Sequence, residues 1–396
     1  MKTRRRFLQQ SAFATAACFA GLPRLGAAEL DASPLGEHRI DSIEIRRVKF
    51  RWPRPVGKNA RIGVHGQHHQ TNVAILRTEQ GAEGWGLTGW EAGRDVELGM
   101  GKTVGELFDP ASGIRDGVPK DFDFALHDLA GIILGLPVHE MLGGKGTKAT
   151  PVYSGMIYFD ELEPEDSPSG LGKVIENCAW DVDYGYRQLK VKIGRSGRWY
   201  PHDKGLKTDI EIVRRIHETF KDKGVEILVD ANDMYSLEDA VAFLEGIGDV
   251  PLFWFEEPFQ EDREKSRKLR DWMHANGFEK TYLADGEFNP DPKFCLELAK
   301  EGILDVNLHD TFGHGFTRWR SLMPKLVELD TLASPHAWGD RLKTHYTAQI
   351  AAGLGNCCTV EGVTCESDDI DYGDYPIKDG RIHVPDAPGF GMKLIG

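Results

Sequence analysis

Past Pro151 the chain repeatedly ends a short apolar run on a charged or polar side chain. In order these are Lys190 with Lys192, Asp230 with Asn232, Glu256 with Glu257, Glu287, Asp310, His336 and Glu361. Asp230, Glu256 and Glu287 follow one another at gaps of 26 and 31 residues, each about one strand-plus-helix unit. One such acid alone reads as a helix cap or an ion pair. Three brought to a point repel one another and rise in pKa unless a cation neutralises them. Oxygen-only ligation suits a hard divalent ion, so the set reads as an Mg²⁺ site with one ion per subunit. Lys190 and Lys192, two apart on a strand, point the same way. Their mutual repulsion and a neighbouring cation depress a lysine pKa, which makes a usable base. Asp310 and His336 end successive runs, and a carboxylate beside an imidazole fixes its tautomer and raises its basicity. These types and spacings suit proton abstraction next to a metal-held carboxylate, with a base on either side.

The runs that carry these residues are PVYSGM (151–156), RQLKVKIG (187–194), EILVDAN (226–232), LFWFEEP (252–258), TYLADGE (281–287), DVNLHD (305–310), LASPHA (332–337) and CCTVEG (357–362). Helical stretches separate them. Continuous apolar strands alternating with helices imply a parallel sheet covered on both faces, and eight of them imply a barrel with its site at the C-terminal strand ends. Upstream, alternation over residues 41–76 marks two strands around a loop at 53–70, and a second loop at 84–93 carries Trp85 and Trp90. A helix over Phe122–Leu134 is stopped by Gly135-Leu136-Pro137. The chain divides into a leader at 1–28, an α+β unit at 29–150, a barrel at 151–369 and a closing strand-and-turn segment at 370–396.

The 396 residues hold 48 basic and 62 acidic side chains, a net charge of −14. That balance argues against sequence-independent nucleic-acid or anionic-membrane binding. It is also an average of two unlike parts. Residues 1–28 carry five basic residues and no acid, so the rest of the chain stands at −19. The weakly apolar run Ser11–Leu22, followed by Gly26-Ala27-Ala28 before Glu29, has the order of an export signal and is too short to span a membrane. TRRRFL resembles a twin-arginine signal, which implies export, to the periplasm. Lipidation at Cys18 is a minor alternative that lacks the usual Leu three residues earlier. The other five cysteines are widely spaced and odd in number, which reads as buried fillers rather than a disulfide scaffold or zinc site.

Taken in order, the motifs resemble the enolase superfamily, and within it the mandelate racemase-like subgroup, over nearly the whole mature chain. KVKIG resembles the lysine motif, which puts Lys192 at the base position and Lys190 at a position assisting substrate binding. VDAN, FEEP and ADGE put Asp230, Glu256 and Glu287 at the metal-ligand positions. Asp310 and His336 stand where the subgroup carries its Asp–His dyad, and Glu361 matches an acid that hydrogen-bonds substrate. ALHDLAGIILGLPVHEMLGG (125–144) resembles the closing helix of the family's capping domain, and PDAPGFGMKL resembles its C-terminal return. The leader and the long loop at 194–207 depart from the usual pattern.

The resemblance implies an α/β fold, a modified TIM barrel, (β/α)7β, with an α+β N-terminal capping domain completed by the C-terminal segment. It implies a small-molecule carboxylate as substrate, an acid sugar, and a homo-oligomer. Lys192 or His336 would take the α-proton to leave an enediolate. Protonation of a leaving β-hydroxyl by the opposite group makes a dehydratase, a lyase giving a 2-keto-3-deoxy product. Reprotonation of the α-carbon from the other face makes a racemase or epimerase. Cycloisomerisation fits less, because related lactonising enzymes use a second lysine where this chain has His336. A mere sugar-acid binding protein would need neither Lys192 nor the dyad. Loop residues Arg61, His65, His68 and His69, and Arg195, Arg198, Tyr200 and His202, suit a polyhydroxylated anion. Asn232, Arg195 and His65 are the foremost substrate-binding candidates beside Lys190 and Glu361.

Overall fold

Three antiparallel strands, β1 (Ile40–Val56), β2 (Gly66–Thr78) and β3 (Glu83–Thr88), pair in chain order near the N-terminus of the computed structural model, which describes residues 30–395. The export signal expected at 1–28, with Cys18, lies outside the described residues. β1 runs past Pro53, where a loop is expected. Its two prolines fall between Arg51 and Val56, where the ladder register shifts and their missing N–H groups cost nothing. Trp85 lies within β3 rather than in a loop. The helix α1 (Asp123–Leu134) packs straight onto that strand: a Cβ on Gly84 would come 2.4 Å from the Leu129 Cα. α1 stops where GLP implies, with Gly135 left-handed at φ 66°. A short helix, α2 (Val138–Met141), leads into the barrel.

Eight parallel strands follow: β4 (Ala149–Ile157), β5 (Gln188–Lys192), β6 (Glu226–Asp230), β7 (Leu252–Glu256), β8 (Tyr282–Asp285), β9 (Val306–Asn307), β10 (Leu332–Ala333) and β11 (Val360–Gly362). They pair in sequence order. β11 pairs with β4, and a bridge from Ala333 to Cys357 joins it to β10, which closes the ring. Helices α3 (Leu171–Tyr184), α4 (His202–Phe220), α5 (Leu237–Ile247), α6 (Arg263–Ala275) and α7 (Pro292–Lys300) fill the connections from β4 to β9. α8 (Thr311–His314) and α9 (Phe316–Glu328) precede β10, and α10 (Arg341–Leu354) precedes β11. Each helix lays an apolar stripe on the strands. α4, for example, buries Ile212, Val213, Ile216 and Phe220 among the side chains of β5 and β6.

The later strands are shorter than their apolar runs. β8, β9 and β10 end before Glu287, Asp310 and His336, which therefore stand in loops. The backbone leaves the ladder there because Gly286 adopts φ 109° and Asp310 turns to cap α8. Beyond β11 the chain runs back along β1: the main chains of Glu366 and Arg51 exchange hydrogen bonds of 2.8 and 3.0 Å. β12 (Ile370–Asp371) pairs with β15 (Lys393–Leu394), and the hairpin β13 (Ile377–Lys378) with β14 (Arg381–His383) adds to the start of β4. From Ala32 onward these residues make one compact unit. The five cysteines among the described residues are free and buried or half-buried. Among the described residues no helix is long and apolar enough to cross a membrane.

Candidate active site

Strand register sets the site. Lys192 pairs with Asp230 across β5 and β6, and Asp230 with Glu256 across β6 and β7. Side chains alternate along a strand, so Lys190, one step back, shares their inward face. One layer down lie Leu228 and Trp254, in an apolar floor with Tyr153, Ala284, Val306 and Leu308. Glu287 joins from the loop after β8. Glu257 holds that loop: its Oε1 accepts the N–H groups of Glu287 and Phe288 at 2.9 and 2.7 Å.

One carboxylate oxygen from each of Asp230, Glu256 and Glu287 lies within 4.8 Å of the other two. Oε2 of Glu256 and Oε2 of Glu287 are buried without a hydrogen-bond partner. Burial and the nearby Asp230 charge push the Glu256 carboxyl well above the usual carboxylate range. Orphaned oxygens on converging carboxylates fit a hard cation, so these residues match the all-oxygen set expected for Mg²⁺. Asn232 follows at φ 45°, with its N–H on Asp230 at 2.9 Å and its side-chain oxygen buried and unpartnered.

The lysines do not behave as their spacing implies. Lys190 Nζ lies 3.0 Å from Glu256, 3.1 Å from Glu361 and 3.6 Å from Asp230. Lys192 bonds Asp230 and sits over the Tyr158 ring. Burial drives both ammonium groups down, but Glu256 and Glu361 around Lys190, and Asp230 beside Lys192, outweigh it. Both pKa values stand above the ordinary lysine value, not below it. The carboxylates around each ammonium outweigh burial, and at Lys192 they outweigh the repulsion from Lys190 as well.

His336 stands on the other side of the carboxylates. Its Nδ1 donates to Asp310 Oδ2 at 2.9 Å, which leaves Nε2 facing Glu287 at 3.1 Å and Glu361 at 3.6 Å. Burial lowers the imidazole pKa, but Glu287, Glu361 and Asp310 outweigh it and hold the pKa above the usual value. The loop is braced from two sides: Ala337 N–H donates to Glu361 at 2.7 Å, and Trp338 stacks on Trp52 of β1 at 5.7 Å. Trp338 also contacts Tyr158 at 4.9 Å. His65 meets Tyr158 and Trp338 edge-on and bonds the Gly57 carbonyl at 2.8 Å, close enough to Lys192 for that charge to add to the burial that lowers its pKa.

Arg195 is a correction. It is fully buried, and its guanidinium is spent on Glu161 at 2.7 and 3.1 Å, on Asp209 at 2.8 Å and on the Lys192 carbonyl at 2.9 Å. It fixes the turn that ends the lysine strand and offers nothing to a substrate. Arg61 is likewise committed, to the Asn232 carbonyl at 2.6 Å and to Asp233. Arg198 bonds the Arg61 carbonyl, and His202 is an exposed partner of Asp239. Tyr200, on the same loop, is half-buried. His68 and His69 line an open groove of about 800 Å³ with Lys49, Arg51 and Trp90. One half-buried charge escapes sequence reading. Lys343 lies 3.4 Å from Asp310 Oδ2, the oxygen that also accepts the hydrogen bond from His336 Nδ1. Its text, RLKTHY, reads as an ordinary helix start, and only the fold brings it to the dyad.

Residues 173–395, more than half of the chain, match the family described as enolase C-terminal domain-like. The chain belongs to the enolase superfamily, and its fold is the modified TIM barrel with an N-terminal cap. Two solved structures of galacturonate dehydratase from a Geobacillus species are each 30% identical to it. The first, complexed with Mg, has a TM-score of 0.85 and covers 91% of this chain and 93% of that one. The second, complexed with D-galacturonate and 5-keto-4-deoxy-D-galacturonate, has a TM-score of 0.84 and covers 91% and 95%. Arabinonate dehydratase of Saccharolobus solfataricus is 25% identical over 69% of this chain and 68% of its own length. L-Lys-D/L-Arg epimerase of Methylococcus capsulatus is 26% identical over 77% and 79%. The chain is an enzyme of a superfamily whose matched members here are lyases and isomerases.

Proposed function

We propose that the protein dehydrates an acid sugar, removing the proton α to its carboxylate and expelling the β-hydroxyl as water. The observation that carries this is the bracket: Lys192 and His336 stand on either side of three converging carboxylates. Asp230, Glu256 and Glu287 would hold Mg²⁺. When bound, that ion polarises the substrate carboxylate and takes up the negative charge that otherwise keeps the lysines protonated. Lys192 Nζ and His336 Nε2 are the groups that take and return protons. Asp310 accepts from Nδ1 and so keeps Nε2 as the working nitrogen. Lys190 and Glu361 position substrate oxygens, and His65 closes the cap side beside Tyr158. The product is a 2-keto-3-deoxy acid, or its 5-keto-4-deoxy counterpart when the sugar is a uronate. Support comes from dehydratases among the relatives.

The epimerase relative and the presence of a proton-handling group on both sides favour one second reading, reprotonation of the same α-carbon from the opposite face. Incubating the Mg²⁺-loaded enzyme with a panel of aldonates and uronates separates the two. Dehydration yields a carbonyl product that a carbonyl reagent detects. Epimerisation yields none but moves α-deuterium in from D₂O. Neither outcome with any member of the panel defeats the proposal. The proposal extends to location: residues 1–28 direct twin-arginine export, to be tested by cell fractionation of the full chain against an Arg4→Lys, Arg5→Lys, Arg6→Lys variant.

A further inference from the structure

A second donor set lies where α2 meets the C-terminal segment. His139 is almost wholly buried, at 1% exposure. Its main-chain N–H and its Nδ1 both face Oε1 of Gln349, at 2.8 and 3.1 Å. The amide nitrogen of Gln349 donates to the Tyr375 hydroxyl at 2.7 Å, and that hydroxyl donates to the Phe390 carbonyl at 2.6 Å. This chain fixes Gln349 Oε1 as an acceptor. Nδ1 of His139 therefore carries the proton, and Nε2 keeps a lone pair. Nε2 is buried without a hydrogen-bond partner. Glu140 and Asp386 complete the cluster: one donor atom from each of His139, Glu140 and Asp386 lies within 4.8 Å of the others. An imidazole whose second nitrogen is held by a carbonyl is how proteins orient a metal-binding histidine.

Lys148 shares the cluster. Its ammonium pairs with Asp386 and lies 4.0 Å from Glu140, on a side chain that is 52% exposed. An exposed pair of that kind is held only weakly. It also leaves the imidazole lone pair unused, because an ammonium pairing with the carboxylates does not reach Nε2.

We propose that His139, Glu140 and Asp386 form a divalent-cation site separate from the barrel carboxylates, taking a borderline ion such as Zn²⁺. One nitrogen and two carboxylate oxygens suit that class, whereas the barrel set, all oxygen, suits a hard ion. The ion displaces Lys148, satisfies Nε2 and ties the C-terminal segment, through Asp386, to α2.

The test uses the full chain, stripped of metal and then saturated with Mg²⁺, titrated with Zn²⁺ by calorimetry. His139→Ala opens a buried hole, so the deciding variant is the exposed double substitution Glu140→Ala, Asp386→Ala. The expected result is one Zn²⁺ equivalent per chain, weakened about tenfold or more in the double variant. Lys148→Ala should bind Zn²⁺ more tightly, because the competing ammonium is gone. Three outcomes overturn the site: no Zn²⁺ binding by the parent protein, equal binding by the parent and the double variant, or unchanged or weaker binding by Lys148→Ala.

Discussion

Taking away the Lys192 ammonium or the His336 imidazole removes one of the two groups that flank the barrel carboxylates. Lys192→Ala and His336→Asn are each expected to lower kcat by about 10²–10⁴-fold, the usual weight of a general acid or base. Mg²⁺ binding, followed by calorimetry, should persist in both, since Asp230, Glu256 and Glu287 are untouched. Near-normal turnover in both variants would refute the assignment. Arg195 makes the opposite kind of prediction. Arg195→Met leaves Glu161 and Asp209 buried without their counter-charge, at a cost of about 3–5 kcal/mol. Chemical denaturation should show that loss. A variant that unfolds normally and raises only KM would return Arg195 to the substrate. The contrast also shows what a sequence conceals at this scale. Glu256 and His336 are legible because the strand repeat orders them. Arg195 is three residues past the lysine strand and reads as equally well placed, yet Glu161 and Asp209, from two other elements, claim its guanidinium. Lys343 has no local signal at all, because its partner Asp310 is 33 residues away.

At the scale of elements, apolar runs located all eight barrel strands but not where they stop. A run ends where burial ends, whereas a strand ends where its ladder does. Glu287, Asp310 and His336 lie in the gap between those two limits. The C-terminal end of α1 could be placed to the residue because a glycine stop is a backbone property. The position of Trp85 could not, because Gly84 and Gly86 resemble turn residues and are there to admit α1. Asp128 on α1 tests that packing. It accepts the N–H groups of Trp85 and Phe390 at 3.0 and 2.7 Å, and burial pushes its carboxyl up to about 7 from 3.8. Between those two values the folded state keeps a proton that the unfolded chain has released. Stability from this group is therefore full below pH 3.8 and falls as pH rises toward 7, by at most about 1.4 kcal/mol per pH unit. Thermal unfolding of Asp128→Asn should lack that slope. Curves for the two proteins that run parallel across the window would contradict it.

For the whole molecule, charge and site have opposite signs. Residues 29–396 carry −19, and the proposed substrate is an anion. Long-range repulsion slows their encounter, and salt screens it over about 10 Å at 0.1 M. kcat/KM for an acid sugar should therefore rise with ionic strength, at constant Mg²⁺, before it levels off. A steady fall would mean that the cationic groups around the barrel mouth, not the overall charge, govern approach. Proton abstraction between Lys192 and His336 is tested most directly by NMR of an aldonate or uronate incubated in D₂O with the Mg²⁺-loaded enzyme. The parent protein should form keto product or exchange the α-proton for deuterium. Lys192→Ala and His336→Asn should lose product while keeping, at most, exchange on the face of the surviving group. An α-proton that stays in place with every acid sugar tried, in the parent protein and in both variants, would contradict it.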